Sequence, residues 1–224
     1  MATILTLQIG PAQTHAEISP ANPKGQEWFT GIFKSPVDKP LWLDTINLAG
    51  DDQADRINHG GVDKAVLAYG VDRYDYWRAV LPDVAWVNGG FGENFTISEQ
   101  TEDSVCIGDI YAIGDGENTA RVQVSQPRTP CYKLARRWGV KDLTARVQVN
   151  GYGGWYLRVL QEGEVAPGMS LHLLERPYPQ WTVARVNEVA NGDDPEQDLA
   201  LAACEALSEG WRVWLVKRAQ KQVE

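Results

Sequence analysis

Cysteine is scarce in this chain. Cys106, Cys131 and Cys204 are far apart and odd in number, which excludes a secreted disulfide framework and makes each a free thiol in a reducing compartment. No C-x-x-C pair and no G-x-G-x-x-G dinucleotide fingerprint occurs. Long apolar runs are missing as well, since none approaches the roughly eighteen residues that span a bilayer. The opening stretch "MATILTLQIGPAQTHAE" has no basic region ahead of an apolar core. Together these absences predict a cytoplasmic protein. Positive charge is in deficit too: the formal net charge of -9 argues against nucleic acid or an anionic membrane as the partner. There is no internal repeat and no low-complexity tract.

What is present suffices for a substantial core, because 224 residues bury enough surface to fold without a structural metal. The nine tryptophans are scattered and read as core packing. Up to about Arg176 the chain shows short alternating or β-branched segments, "TILTLQI", "WLDTINL", "AVLAY", "CIGDIYAIG", "ARVQVSQ" and "SLHLLE", punctuated by glycine. Turns such as "IGDI" and "IGDGEN" favour hairpins over crossover helices, hence a barrel or sandwich. One helix is expected in "VDRYDYWRAVL", with Tyr74, Trp77, Val80 and Leu81 on one face. "RPYPQW" reads as a linker. Beyond it "TVARVNEVANG", "DPEQDLALAACEALSEG" and "GWRVWLVKRAQKQ" predict three helices, with Asp193 or Asp194 as N-cap before Pro195. The expected organisation is a mainly β domain with helices over 1–176 and a three-helix segment over 180–224.

The chemistry concentrates in "ARVQVSQPRTPCYKLARRWG". A strand enters a turn and then a helix, with Thr129 suited to the N-cap, Pro130 to the first helical position and Gly139 to the C-terminal stop. This places Cys131 in the first helical turn, where unpaired N–H groups, the helix dipole, Arg128 and Lys133 all favour a thiolate. Cys106 is expected in a strand and Cys204 on an apolar helix face. On the residues alone, Cys131 reads equally as a reactive thiol and as a small buried hydrophobe. The same helix start is suited to a phosphate.

Three glycine-bearing stretches accompany it. "LAGDDQADRINHGGVDKAVLAY" is a polar loop carrying His59 before Gly60-Gly61, with Lys64 at a strand entrance; a lone loop histidine is more often solvated than catalytic. "NGGFGENFTI" and "NGYGGWYLRVL" each read as tight turns ahead of a strand, the first as a hairpin.

The order "HGGVDKAV", "FGENFTI", "IGDIYAIG", "VQVSQPRTPCYKL" and "GYGGWYLRVL" resembles bacterial stand-alone MOSC proteins, named for the C-terminal domain of molybdenum cofactor sulfurase. The match runs over roughly residues 40–175, and the tail from about Thr182 resembles a three-helix extension found in one bacterial branch. The resemblance implies a MOSC-type β-barrel that binds molybdenum cofactor (molybdopterin-bound molybdenum), with Cys131 as the molybdenum ligand; pyridoxal phosphate binding is a general association of the same family. It implies reduction of N-hydroxylated compounds such as hydroxylamino-purine base analogues, with electrons from a flavin-containing reductase. It makes His59 and Asp55, with Cys131, the catalytic candidates beside the metal. Lys64, Arg128, Lys133 and Asn94 become candidates for cofactor contact. A reductive N–O cleavage needs a proton as well as electrons, and His59 is placed to supply it. Lacking a dinucleotide fingerprint and cluster-binding cysteines, the chain needs a separate electron donor.

Two other readings stand beside this one. Cys131 could carry a persulfide for transfer to an acceptor, or the chain could be a non-catalytic module whose tail docks a partner through Trp211, Trp214 and Leu215. A homodimer is the working expectation for assembly.

Overall fold

Alternation of apolar and polar residues at period two makes half-buried strands, and β-branched runs make fully buried ones; the chain carries both. The computed structural model describes residues 1–55, 59–116 and 119–223, so Arg56, Ile57 and Asn58 of the acidic loop and Glu117 and Asn118 of "IGDGEN" lie outside the described residues. The first strands are β1 (Ile4–Ile9), β2 (Gln13–His15), β3 (Trp28–Thr30), β4 (Ser35–Val37), β5 (Leu41–Leu43) and β6 (Val66–Gly70). Helix α1 (Asp72–Val80) and strands β7 (Phe95–Ile97), β8 (Ile110–Ile113) and β9 (Ala120–Pro127) follow. Then come α2 (Tyr132–Trp138), α3 (Leu143–Asn150), β10 (Trp155–Gln161), β11 (Gly163–Val165) and β12 (Leu171–Glu175). The chain ends in α4 (Val183–Asn191), α5 (Pro195–Ala202) and α6 (Glu209–Val223).

Eight strands form one sheet in the order β12-β8-β9-β10-β6-β7-β1-β4. It closes on itself where the start of β1 meets the entrance to β12: Thr3 bridges Ser170, Ile4 N donates to Met169 O at 2.9 Å, and Leu171 N donates to Ala2 O at 2.8 Å. The protein is therefore a mainly β barrel with helices. Hairpin logic holds for β8 and β9, which pair antiparallel, but fails for "NGGFGENFTI": β7 lies parallel to β6, reached through α1. Parallel neighbours require such a crossover.

Two apolar clusters hold the fold. The first fills the barrel with Ile4, Leu7, Val66, Phe95, Val122 and Leu157 and runs without a break into Val186, Leu201 and Leu215 of the last three helices. The second packs Tyr69, Tyr74, Trp77, Trp86 and Phe91 against Leu134, Leu143 and Val147 of α2 and α3. "RPYPQW" is tied to the barrel, since Arg176 pairs with buried Asp109 and Ile107 N donates to Trp181 O at 2.8 Å. Leu215 is buried and Trp211 half-buried against the first cluster, so that part of the tail stripe packs on its own chain. Arg218 fastens the tail by pairing with buried Asp198 and donating to Val189 O and Ala190 O.

Several boundaries differ from the sequence reading. Strand β5 stops at Leu43 rather than running through "WLDTINL", because Asp44 Oδ1 accepts from the backbone N–H of Ile46 and Asn47, both at 2.7 Å, and turns the chain. Tyr74 and Trp77 are buried as expected, whereas Val80 is 38% exposed at the end of α1. Cys106 forms an isolated bridge to Thr182 instead of sitting in a strand, and Cys204 follows α5 in a turn instead of lying on its face; both thiols are buried. Asp194, not Asp193, caps α5, its carboxylate accepting from Glu196 N and Gln197 N. Helix α3 had no counterpart in the sequence reading.

Candidate active site

The chain leaves β9 at Pro127 and passes without regular structure through Arg128, Thr129 and Pro130 before α2 begins. Cys131 itself is extended, with φ -116° and ψ 167°, and its carbonyl accepts the first intrahelical bond from Leu134 N at 3.1 Å. Cys131 is thus the N-cap, and Thr129 and Pro130 lie ahead of the helix rather than starting it. The thiol makes no capping bond, so it is left half-exposed at the strand-to-helix corner. Gly139 stops α2 in a left-handed conformation, φ 67°, as its position suggested.

Strand neighbours bring the distant candidates to this corner. β9 pairs with β10, placing Tyr156 opposite Gln126, and β10 pairs with β6. The stretch from His59 to Lys64, entering β6, therefore lines the same mouth as the thiol. It is pinned there by Ser125 Oγ donating to Asp63 O and by the Arg158–Asp63 pair at 2.8 Å. Cys131, His59, Asp55, Lys64, Arg128, Lys133 and Asn94 all line one recess. Every sequence candidate is brought together.

Their environments differ. His59 N donates to Asp55 O at 2.9 Å, and Nδ1 lies 3.1 Å from the Tyr156 hydroxyl. Burial first, then the charge of Arg128, pushes the imidazole down to about 4, with Lys133 and Lys64 adding to the effect and Asp55 opposing it. A ring so placed is neutral near neutral pH. Burial likewise raises the Tyr156 phenol to about 12, so its proton stays on oxygen.

Arg128 is 5% exposed. Its backbone N–H donates to Gly154 O at 3.0 Å and its Nη2 to Phe91 O at 3.3 Å, yet Nε and Nη1 meet no acceptor among the described residues. A buried guanidinium with idle donors is set for an anion. Asn94 is in a different state: its Oδ1 accepts from Leu67 N at 3.1 Å and its Nδ2 donates to Asp51 Oδ2 at 2.8 Å, so it braces the wall. Among the described residues no group of three or more His, Cys, Asp or Glu side chains is arranged to hold a metal. A metal bound through Cys131 must bring its other ligands with it.

The sequence reading missed three groups of participants. Tyr156 sits in "WYLRV" with nothing to distinguish it from a core aromatic. Lys34 and Asp51 form a buried ion pair behind the recess, with Asp51 also accepting from Gly10 N at 3.0 Å; burial lowers the Lys34 pKa against the opposing pull of Asp51. Ser208, Gly210 and Trp211, at the entrance to α6, form the far wall of the open mouth outside Cys131.

Fold and site together define a closed barrel with a half-exposed thiol in a recess lined by Arg128, Lys133 and Lys64 and by Asp51, Asp52 and Asp55. The MOSC domain model matches residues 55–172 and the YiiM-like, 3-alpha helix domain model matches residues 181–222. The chain belongs to the MOSC family, in the branch that carries the YiiM-like three-helix domain. It is 40% identical over 222 residues to protein YflK of Bacillus subtilis (strain 168), covering 98% of this chain and 95% of that one. It is 38% identical over 186 residues to a protein of Gibberella moniliformis (strain M3125 / FGSC 7600) called a reductase, covering 82% of this chain but 32% of that protein. The crystal structure of YiiM from Geobacillus stearothermophilus superposes with a TM-score of 0.79 at 33% identity, covering 98% of this chain and all 100% of that one. No helix among the described residues is long and apolar enough to cross a membrane.

Proposed function

We propose that this protein is a molybdenum-cofactor-dependent reductase of N-hydroxylated small molecules, including hydroxylamino-purine base analogues. The observation that carries the proposal is the pairing of a half-exposed Cys131 thiol with buried Arg128 donors that meet no acceptor among the described residues, in one recess. Family membership and the reductase name of the Gibberella relative support the redox class. The donor set fits the cofactor. A soft thiolate suits molybdenum, the absence of a protein metal cluster among the described residues suits a metal that arrives with pterin dithiolene ligands, and Arg128 with Lys133 suits the pterin phosphate.

When bound, the cofactor supplies a redox metal that accepts oxygen from an N–O bond. The chain's own residues do the rest. Cys131 would hold the metal, and Arg128 and Lys133 would bind the anion, with Lys64 on the same wall. Asn94 and the Lys34–Asp51 pair keep that wall rigid. The proton is handled by His59 and Tyr156, which share a hydrogen bond. An anion in the recess offsets the charges that hold the imidazole down, so cofactor binding raises the proton affinity of His59 and prepares it to act. Asp55, whose charge already opposes that depression, strengthens the effect.

Converting N–OH to N–H and water consumes two electrons and two protons. The chain lacks a nicotinamide fingerprint, so electrons come from a separate flavin-containing reductase; the much greater length of the Gibberella relative fits an arrangement in which further sequence accompanies the MOSC segment. The free thiols fit the cytoplasm.

The test is elemental and pterin analysis of protein made in a host that synthesises the cofactor, comparing wild type with Cys131→Ala. Molybdenum and pterin near one per chain, with molybdenum lost in the variant, is the expected outcome. Their absence from the wild type refutes the proposal and makes a Cys131 persulfide, seen as added mass on that residue, the next account.

A further inference from the structure

Helix α6 presents its N-terminal end, not its flank, to the mouth outside Cys131. Ser208, Gly210 and Trp211 line that space, whereas Glu209 is exposed and forms no part of the wall. Arg212 N donates to Ser208 O at 3.1 Å, which makes Ser208 the N-cap of this 15-residue helix. We infer that this helix start is an anion subsite that takes a phosphate group at the mouth, separate from the buried donors of Arg128, which does not line it.

Two independent observations carry the inference. An N-cap serine ordinarily turns its hydroxyl onto the second or third amide of its helix. Ser208 does not, and the amides of Gly210 and Trp211 meet no acceptor among the described residues. Those N–H groups and the positive end of the helix dipole are left for an oxyanion. The second observation is the hydroxyl itself. Ser208 is 3% exposed, yet its Oγ has no hydrogen-bond partner among the described residues. The residue is fixed in place, since its backbone N–H donates to Ser125 O at 3.0 Å. A buried hydroxyl left unpaired costs stability until a ligand pairs it.

The neighbouring groups agree with an anion. Lys133 lines the same mouth and forms no ion pair among the described residues. Of the two acids in the wall, Asp55 and Asp63, the second is paired with Arg158 at 2.8 Å. The approach is open at Gly210, where an added Cβ would meet nothing within 4 Å. Three donors on neighbouring residues and an ammonium suit the several oxygens of a phosphate better than the two of a carboxylate.

The catalytic meaning of this subsite rests on the reductase reading, in which the phosphate belongs to an esterified substrate; its test does not. Inorganic phosphate serves as the probe, titrated by calorimetry into full-length wild type and into Arg128→Met, which removes the buried donors. Phosphate should bind in both. Ser208→Ala, added to either background, should weaken that binding about tenfold, the range for losing a hydrogen bond to a charged group, with thermal unfolding unchanged because the hydroxyl has no partner to lose. Gly210→Asp should weaken it at least about tenfold, since a carboxylate in the first turn occupies the same amides and repels the anion, while the helix dipole keeps the unfolding temperature level or raises it. Phosphate binding that disappears with Arg128→Met alone, or that either second substitution leaves unchanged, overturns the inference. Phenyl phosphate binding more tightly than inorganic phosphate assigns the subsite to a phosphate ester, and equal or weaker binding assigns it to the free ion. Molybdenum and pterin measured in the wild type keep the two claims apart. A cofactor-loaded protein indifferent to Ser208→Ala and Gly210→Asp refutes the subsite alone, and phosphate binding at α6 in a protein that never takes up the cofactor refutes the reductase reading alone.

Discussion

Acidification should weaken this protein through His59 in a calculable way. The imidazole sits at about 4 in the folded chain against an ordinary value of 6.5. Between those values the unfolded chain binds the extra proton and the folded chain does not, so stability rises with pH across that window. The contribution is intact above about 6.5 and is lost as the pH falls toward 4. At roughly 1.36 kcal/mol per pKa unit, the loss reaches about 2 kcal/mol near pH 5 and about 3 kcal/mol near pH 4. The ring is not wholly shielded, so solvent screening makes these upper values.

Other groups titrate over the same range, so the informative quantity is a difference. Urea unfolding of wild type and His59→Gln, measured from about pH 7 down to about pH 4.5, should give stability curves that diverge, with the variant falling less steeply. Parallel curves within about 0.5 kcal/mol refute the claim that the folded chain holds the ring neutral. A second arm tests the cause. Inorganic phosphate should offset Arg128 and Lys133 and raise the His59 pKa, which imidazole NMR can follow because the chain has only three histidines. A His59 pKa indifferent to phosphate removes the electrostatic part of the argument and leaves burial alone.

Two substitutions extend the reasoning. Arg128→Met removes a buried guanidinium with two idle donors, so the cofactor-free protein should be as stable as wild type or about 1–2 kcal/mol more stable in urea, while pterin content falls sharply; a large loss of stability would mean that the guanidinium is satisfied in the free protein. Gly154→Ala should cost at least about 2 kcal/mol in the same assay, because φ is +80° and the new Cβ would lie 2.3 Å from Ala68 O; since Gly154 O also accepts from Arg128 N, cofactor content should fall with it.

How far local sequence carries the fold is shown by five residues that occur twice. "ARVQV" is strand at 120–124 and helix at 145–149. In the first copy Ala120, Val122 and Val124 alternate inward between two neighbouring strands. In the second the buried pair is Leu143 and Val147, four residues apart, and Gly151 ends the helix at φ +71°. β-branched residues favour a strand only where strands flank them, and tertiary context reversed that preference in α3. The three terminal helices were legible because their signals are local: the Thr182 cap, Asp194 before Pro195, and regular apolar spacing. The parallel pairing of β6 and β7 was not, since no local pattern distinguishes a tight turn at Gly89–Gly92 from the end of a crossover.

The site divides in the same manner. Cys131, Arg128 and Lys133 were readable because they share a few residues of chain at a strand-to-helix corner. Tyr156, Lys34, Asp51 and the α6 wall belong to the site only through the adjacency of β6, β10 and β9 and the packing of the tail onto the barrel. Net charge was the least informative quantity of all. A chain at -9 places several cations near one thiol, balancing Lys34 with Asp51 but leaving two Arg128 donors without an acceptor among the described residues. An idle buried donor costs stability in the free protein, and an arriving anion recovers that cost only by binding there. The depressed imidazole of His59 follows first from burial and then from the charge of the same Arg128. On the proposed reading the recess is poised before any ligand enters, with Arg128 contributing both to anion binding and, after burial, to the reluctance of His59 to protonate.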